Sequence, residues 1–249
     1  MRKSLFVAVA LVSTTWSIAG AQVIPSGNFG AIPSGVTFGG TSIPGPVETT
    51  AFGTNNQLVL GASQRYDNAA LTNNGAGTYT AAAGVDLTTV PGQNKPAYAR
   101  WNFNFYAGGT TGGGYDYRLY YDFNPSAGNT LATHGYYQFS GVCASSCLYA
   151  NQDSWNLGMP FLGVPVAGII VPPPGSFSNT AAGEYTFALA AYARPDGGTQ
   201  QYTTELARAA IRVNALGSNV VPEPSTYALM AAGLAGLGLV ARRRRRTIA

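Results

Sequence analysis

The clearest pattern in the chain is an alternation of apolar and polar residues. In the run WNFNFYA, aromatic residues from Trp101 to Phe105 occupy every second position, with asparagines between them. In YDYRLYYDF, which begins at Tyr115, tyrosine, leucine and phenylalanine alternate mainly with charged residues. Because successive side chains of a strand point to opposite faces, both runs predict half-buried strands. The Gly-rich segment 108–114 between them predicts a hairpin loop.

Weaker versions of the same pattern extend over residues 57–217. They lie near Leu58, at Thr78–Leu87, near Tyr137, at Glu184–Ala193 and at Ala210–Leu216. Turn residues separate these runs, so eight to ten short strands are expected. The fold predicted for 57–217 is all-β, a single β-sandwich or jelly-roll-like ectodomain.

Two stretches fit this pattern less well. Residues 22–56 are rich in glycine and proline, which weaken strands, so they predict a loose segment with one edge strand at Val36–Phe38. The stretch Thr203–Ala210 is the best helix candidate outside the termini, and it fits the continuation of a strand equally well.

The first 21 residues have the three parts of a secretion signal. Arg2 and Lys3 form a basic start, Leu5–Val12 is apolar, and Ala19-Gly20-Ala21 ends the segment with small residues. This order predicts a signal peptide, residues 1–21, cleaved after Ala21, with Ala19 and Ala21 as the cleavage-site residues. An uncleaved anchor is the alternative, but the apolar run is too short for it.

Cys143 and Cys147 are the two cysteines of the chain. Export would permit a disulfide, and a local bridge closing a small loop is the plainest prediction. Two unpaired thiols are the alternative. The C-x-x-x-C spacing differs from the C-x-x-C of redox enzymes, and a zinc site would need more ligands than the single histidine, His134, can add.

The net charge of +4 is misleading until it is placed along the chain. Between Gln22 and Val221 there are seven basic and nine acidic residues, a net charge of −2. The excess of arginine therefore lies at the two ends. This distribution argues against nucleic acid as a partner, because such binding needs a basic face on the folded part.

Catalytic and metal-binding signatures are weak. His134 is interpreted as a loop or surface residue, since no G-x-S-x-G elbow accompanies it and H-E-x-x-H needs two histidines. Asp116 and Asp122 share one strand face about 20 Å apart, too far for a glycosidase pair, while pairs across strands stay open. The Asp- and Asn-containing segments at 122–129 and around Asp196 are interpreted as turns rather than calcium loops. We predict no cofactor and no metal.

Three tyrosines fall on the faces opposite the main apolar ones: Tyr106, Tyr120 and Tyr136. If exposed, such rings could stack on the apolar faces of sugars. Core packing is the alternative interpretation, because alternating tyrosines on strands usually pack against cross-strand neighbours.

The C-terminal tail has three parts. Pro222 and Pro224 keep Val221–Pro224 extended, and Ser225 or Thr226 can cap a following helix. Tyr227–Ala241 carries no charge and would span about 22 Å as a helix, short of a hydrocarbon core of about 30 Å unless arginine side chains snorkel. We predict a transmembrane helix at 226–241. A cluster that should remain in the cytoplasm follows it: Arg242, Arg243, Arg244, Arg245 and Arg246.

This tail, assigned to residues 218–249, resembles the PEP-CTERM sorting signal of exported Gram-negative bacterial proteins. It contains the V-P-E-P motif, the hydrophobic helix and the arginine cluster in that order. The resemblance implies that Val221, Pro222, Glu223 and Pro224 are recognised by an exosortase, a membrane protease of transpeptidase-like type. It also implies transient anchoring in the inner membrane, then association with the cell surface and exopolysaccharide, often in biofilm-forming species.

The expected function is that of an exported, non-enzymatic cell-surface or extracellular-matrix protein, structural or adhesive within exopolysaccharide. The alternative is a secreted carbohydrate-active domain, lectin-like or glycan-hydrolysing. A lectin would require an exposed aromatic platform, and a hydrolase would require cross-strand carboxylates about 5–10 Å apart.

Overall fold

A computed structural model describes residues 22–25, 27–38, 43–65, 69–85, 95–109, 114–140, 151–194 and 202–217. Within these residues the chain forms twelve strands and two short 3-10 turns, at Leu131–Thr133 and Pro160–Gly163. The strands are β1 (Asn28–Gly30), β2 (Val47–Phe52), β3 (Asn56–Gln64), β4 (Thr72–Asn73), β5 (Thr78–Ala82), β6 (Trp101–Gly109), β7 (Tyr115–Tyr121), β8 (Gly135–Ser140), β9 (Asn151–Trp155), β10 (Ile170–Val171), β11 (Gly183–Ala193) and β12 (Glu205–Leu216).

The strands form two sheets. The smaller sheet has five strands in the order β1-β2-β3-β6-β9, and the larger has seven in the order β10-β8-β7-β11-β12-β5-β4. Neighbouring strands are antiparallel, with the exception of β12 and β5, which run parallel. Strand β12 is therefore hydrogen-bonded on both sides, to β11 and to β5.

The main core lies between the sheets, where the predicted apolar faces meet. Trp101 and Phe103 of β6 contact Phe187 of β11, and the rings of Phe103 and Phe187 stack with centroids 4.6 Å apart. Tyr121 of β7 is also buried there and donates its hydroxyl to the Leu162 carbonyl at 2.7 Å. The all-β prediction is confirmed by the two sheets. Aromatic side chains from both sheets form one continuous cluster between them.

The hairpin predicted across residues 108–114 is wrong, because the strands on either side of that segment belong to different sheets. Strand β6 pairs with β3 and β9, whereas β7 pairs with β11 and β8. Both strands turn aromatic faces toward the same core from opposite sides. A period of two identifies the buried face of each strand but not its partner.

The N-terminal region also differs from expectation. Residues 36–38 lie outside the strands, while β1 and β2 flank them in sequence and form an edge of the smaller sheet. Val36 and Phe38 are buried against the outer face of that sheet, next to Val59 and Tyr106. Their apolar character serves packing on top of the sheet. The stretch Thr203–Ala210, open between helix and strand, contributes most of its residues to β12.

Candidate functional site on the outer face of the larger sheet

Ionisable and tyrosine side chains collect on the outer face of the larger sheet, across β8, β7, β11 and β12. The register aligns Tyr136 with Tyr120 in one row and Gln138 with Arg118 in the next. It also places Phe187 opposite Tyr121, so the residues before and after them, Thr186 and Asp122, are neighbours. Each row therefore combines residues that are far apart in the sequence.

A buried polar cluster lies at the end of β7. Its central atom is the Thr186 hydroxyl oxygen, 2.7 Å from Asp122 Oδ2 and 2.8 Å from His134 Nε2. The Asn129 amide donates to the same Asp122 oxygen at 2.9 Å. His134 Nδ1 lies 2.8 Å from the Thr130 carbonyl, to which it must donate, since a carbonyl can only accept. The cluster ties the loop 122–134 to β11.

Burial shifts the titration of both ionisable groups in this cluster. It raises the pKa of the Asp122 carboxyl to about 7, although hydrogen bonds from Thr186 and Asn129 act to lower it. Burial also lowers the pKa of His134, although its hydrogen bonds to Thr130 and Thr186 act to raise it. The charged form of each group is disfavoured because it would lose its hydration.

Asp122 and His134 share one titratable proton, which the hydrogen bonds of the cluster can hold in either of two arrangements. If Asp122 is ionised, Thr186 donates to it, and His134 Nε2 must carry a hydrogen to donate to Thr186. If Asp122 is protonated, it donates to Thr186, which then donates to a neutral imidazole. The two arrangements contain the same number of protons, and the pKa directions favour the neutral pair.

The cluster contains the residue types of a nucleophilic triad in a different order. In such a triad the imidazole lies between the hydroxyl and the carboxylate, so that it can take the hydroxyl proton. Here the Thr186 hydroxyl lies between His134 and Asp122, and all three residues are buried. The arrangement orders the loop 122–134. The interpretation of His134 as a surface residue is wrong: it follows a 3-10 turn, as a loop residue would, but its side chain is enclosed.

A glycine allows this enclosure. Gly135 follows His134, and a Cβ at that position would collide with the Pro173 ring nitrogen and the Val171 carbonyl. The segment after β10 therefore approaches β8 closely only because residue 135 has no side chain.

The next rows contain an arginine surrounded by tyrosine rings. The Arg118 guanidinium carbon lies 4.0 Å from the Tyr136 ring centroid and 4.3 Å from that of Tyr202. Its Nη2 donates to Gln138 at 2.8 Å. Tyr120 is buried in this group and its hydroxyl lies 2.7 Å from the Tyr192 hydroxyl. The arginine thus occupies the aromatic surface that a sugar would need.

A buried ion pair completes the outer face. Asp116 and Arg194 form a salt bridge, and both side chains are almost fully enclosed. Asp116 and Asp122, predicted on one strand face, do lie on the same outer face, but each belongs to its own network.

Beside the apolar cluster of Val59 and Tyr106, the outer face of the smaller sheet is polar and largely uncharged. Asn104 accepts from Ser154 at 2.6 Å and donates to Ser63 at 3.1 Å, linking three strands. Asn156 donates to the Ala99 and Trp101 carbonyls and to Asn102 Oδ1. It accepts from the backbone amides of Ala99 and Gly158.

The three off-face tyrosines lie on outer faces, as predicted. Tyr106 is buried beneath the segment that contains Val36 and Phe38, and Tyr120 is buried in the tyrosine group around Arg118. Tyr136 is half-buried with Arg118 over its ring. These three rings therefore pack within the protein rather than forming an open platform.

Several predicted sites fall outside the described residues. They are the signal cleavage residues Ala19 and Ala21, the cysteines Cys143 and Cys147, the motif Val221–Pro224, and the arginines 242–246. Within the described ranges, no three or more His, Cys, Asp or Glu side chains are grouped to hold a metal ion. The helical turns of the described ranges include none long and apolar enough to cross a membrane.

Comparison with known proteins identifies the C-terminal tail. A family model for the PEP-CTERM protein-sorting motif matches residues 220–246. The chain is a PEP-CTERM motif-containing protein. The motif implies export, sorting by an exosortase and transient anchoring in the membrane. No curated protein and no solved structure matches the chain, so the PEP-CTERM assignment rests on the tail.

Proposed function

We propose that this protein is an exported, non-enzymatic structural or adhesive component of the cell surface or extracellular matrix, associated with exopolysaccharide. The observation that carries the proposal is the sorting motif at 220–246. In this proposal residues 1–21 are removed as a signal peptide, 226–241 cross the inner membrane, and Arg242–Arg246 stay in the cytoplasm until an exosortase cleaves near the motif.

The charge distribution of the β-domain supports an association with a neutral polymer. Three ion pairs join groups of the domain to one another: Asp116 with Arg194, which is fully buried, and Glu184 with Arg212 and Glu205 with Arg208, which are partly exposed. The loop 172–182 contains no charged residue and exposes the hydroxyl-bearing residues Ser176, Ser178 and Thr180. Hydroxyl and amide groups can exchange hydrogen bonds with sugar hydroxyls without the large desolvation cost of a charge.

The non-enzymatic part of the proposal is supported by the geometry of the most reactive residue set. The Thr186 hydroxyl already interacts with both His134 and Asp122, and no order of proton transfer among them frees it as a nucleophile.

The sorting step is tested by changing Pro222, Glu223 and Pro224 to alanine together and fractionating the producing cells. We expect the protein to accumulate in the inner membrane and to be lost from the surface fraction. The matched control changes Ser218 and Asn219 to alanine, just before the motif, and should sort normally. Normal surface display of the triple variant would refute sorting through these residues.

The association is tested by electrophoresis of the full chain through gels that contain exopolysaccharide from the producing cells. Slower migration than in gels containing an unrelated neutral glucan is expected. Equal mobility in the two gels would contradict the association while leaving the sorting step intact.

A further inference from the structure

An apolar loop lies at the edge of the larger sheet, next to β8. It comprises residues 160–171, here called the apolar loop. Five of the nine large apolar side chains that are exposed in the described residues lie within it, each with 38–54% of its surface accessible: Phe161, Val164, Val166, Ile169 and Val171. Isolated exposed apolar residues are ordinary, but five within eleven positions mark an interaction surface.

The backbone of the apolar loop is held firmly in place. Val166 and Ile170 exchange hydrogen bonds at 2.8 and 3.0 Å, and Leu162 anchors the segment in the main core. Gln138 of β8 binds the loop twice, through its backbone N–H to the Ile169 carbonyl and through its side chain to the Gly168 carbonyl, both at 2.8 Å. Because these hydrogen bonds fix the backbone of the loop, its exposed side chains need no rearrangement to bind an apolar surface.

The sequence on either side of the loop contains no charge. From Ser154 to Gly183 the chain has no Asp, Glu, Lys or Arg. Transfer of the exposed side chains into an apolar phase would therefore desolvate no ionised group of the segment.

The position of the C-terminal tail indicates that a membrane is the apolar phase nearest to the loop. Gly217 is the last described residue, and the uncharged segment that follows the sorting motif begins ten positions later, at Tyr227. Ten extended residues span about 33 Å. Strand β12 lies four strands from β10, about 19 Å across the sheet, and Leu216 lies about 20 Å beyond the level of Val171 along the strands. Val171, the last residue of the apolar loop, is therefore about 28 Å from the point where the tail leaves, within reach of an anchored membrane, and the rest of the loop lies farther away.

We propose that the apolar loop inserts into the lipid bilayer surface while the sorting tail anchors the protein. This inference rests on the proposed function, since the tail supplies the anchor. A small apolar insertion binds a bilayer weakly by itself, but tethering makes the second contact intramolecular. The loop would hold the β-domain against the membrane before processing and lose most of its hold once the tail is removed.

The test uses the full chain reconstituted into phosphatidylcholine vesicles that contain lipids brominated on their acyl chains. Val166→Trp provides a reporter in the apolar loop. Leu206→Trp is the matched control, because Leu206 is 45% exposed at the start of β12, away from that loop. After subtraction of the emission of the unmodified chain, we expect the loop reporter to be quenched about twofold more strongly than the control.

A second variant separates insertion from proximity. Val164→Asp with Ile169→Asp in the reporter chain should abolish the extra quenching, and serine at both positions replaces aspartate if that chain fails to fold. Flotation measures whether the vesicles carry the protein. If they carry it and the two reporters are quenched equally, loop insertion is overturned and tail anchoring is left intact. Failure of the chain to float with vesicles would overturn both. If the loop reporter became shielded from solvent as the protein concentration rose, without being quenched by bromine, a second copy of the chain would be the occupant. That result would also overturn the proposal.

Discussion

The outer faces of the two sheets both carry polar side chains that connect neighbouring strands, but these side chains differ in chemistry. On the smaller sheet, neutral amides and hydroxyls such as Asn104 and Ser154 connect the strands. On the larger sheet, the ionisable groups Asp116, Asp122 and His134 do so. Both solutions satisfy buried polar groups, as a folded protein must.

The difference teaches which of the two outer faces is sensitive to pH. A neutral amide keeps its hydrogen bonds at any physiological pH, whereas a buried carboxyl or imidazole changes its bonding when it titrates. One face of this sandwich is therefore insensitive to pH, and the other depends on how its protons are arranged.

The largest expected effect comes from removing one member of the buried ion pair. Asp116→Ala leaves Arg194 enclosed without its carboxylate and should lower the free energy of unfolding by about 3–5 kcal/mol. Urea denaturation of the purified chain, followed by tryptophan fluorescence, measures this change. The double change Asp116→Ala with Arg194→Met should recover much of the loss, because no buried charge remains. A double variant no more stable than the single one would contradict this account.

The strongest test on the neutral face is Asn156→Ala. It removes the hydrogen bonds that join Ala99 and Trp101 to the turn at Gly158. Three of these bonds, with the Ala99 amide, the Ala99 carbonyl and the Trp101 carbonyl, are fully buried; at roughly 1 kcal/mol for each group left unpaired, the free energy of unfolding should fall by about 3 kcal/mol. The comparison between faces requires this loss to be the same at pH 5 and pH 8. A loss that varied with pH would show that the neutral face is coupled to titrating groups.

The Asp122–His134 pair should produce opposite pH slopes when its members are removed one at a time. In His134→Gln, Asp122 alone titrates; its pKa is raised from 3.8 to about 7 in the fold, so stability should fall as pH rises through that window. In Asp122→Asn, His134 alone titrates; its pKa is lowered from 6.5, so stability should fall as pH drops below that value. Each slope is at most about 1.4 kcal/mol per pH unit.

The unmodified pair should give a nearly flat profile between these limits. Between about pH 4 and 6.5 the unfolded chain holds one proton on histidine, and the folded cluster also holds one. Denaturation of the three proteins across this range measures the slopes. A steep slope in the unmodified protein, or slopes of the same sign in both variants, would contradict the shared proton.

The smallest effect is expected for Ser63→Ala on the neutral face. It removes the acceptor of the Asn104 side-chain amide, a bond of 3.1 Å, and should cost about 1 kcal/mol at every pH. Ser63→Thr, which keeps the hydroxyl, is the matched control for the bond itself. A change below the precision of denaturation would mean that another group takes over this bond.

The buried faces of the strands could be predicted from the sequence, since their side chains follow a period of two. Phe103 and Phe187 meet in the core because each occupies an inward position of its own run. The partners of the strands could not be predicted in this way. Strands β6 and β7 are consecutive and similarly patterned, yet their hydrogen-bonding partners lie in different sheets.

The polar cluster was only partly visible in the sequence. Asp122 and His134 were recognised as chemistry-bearing residues, but Thr186 carries no local signal. It comes next to Asp122 through the register of β7 with β11, a separation of 64 residues. The tail, in contrast, could be predicted from the sequence alone. Its three parts are contiguous, and recognising their order requires no knowledge of the fold.

The position of β12 determines how the protein responds to pulling. This strand leads directly toward the sorting tail and is bonded to β11 on one side and to β5 on the other. A force applied through the membrane anchor therefore acts along the strand and loads both ladders in shear, instead of opening them one bond at a time. The attachment point is thus a strand held by hydrogen bonds on both sides. A pulling force on the anchor should therefore extract the anchor segment from the membrane before it unfolds the β-domain.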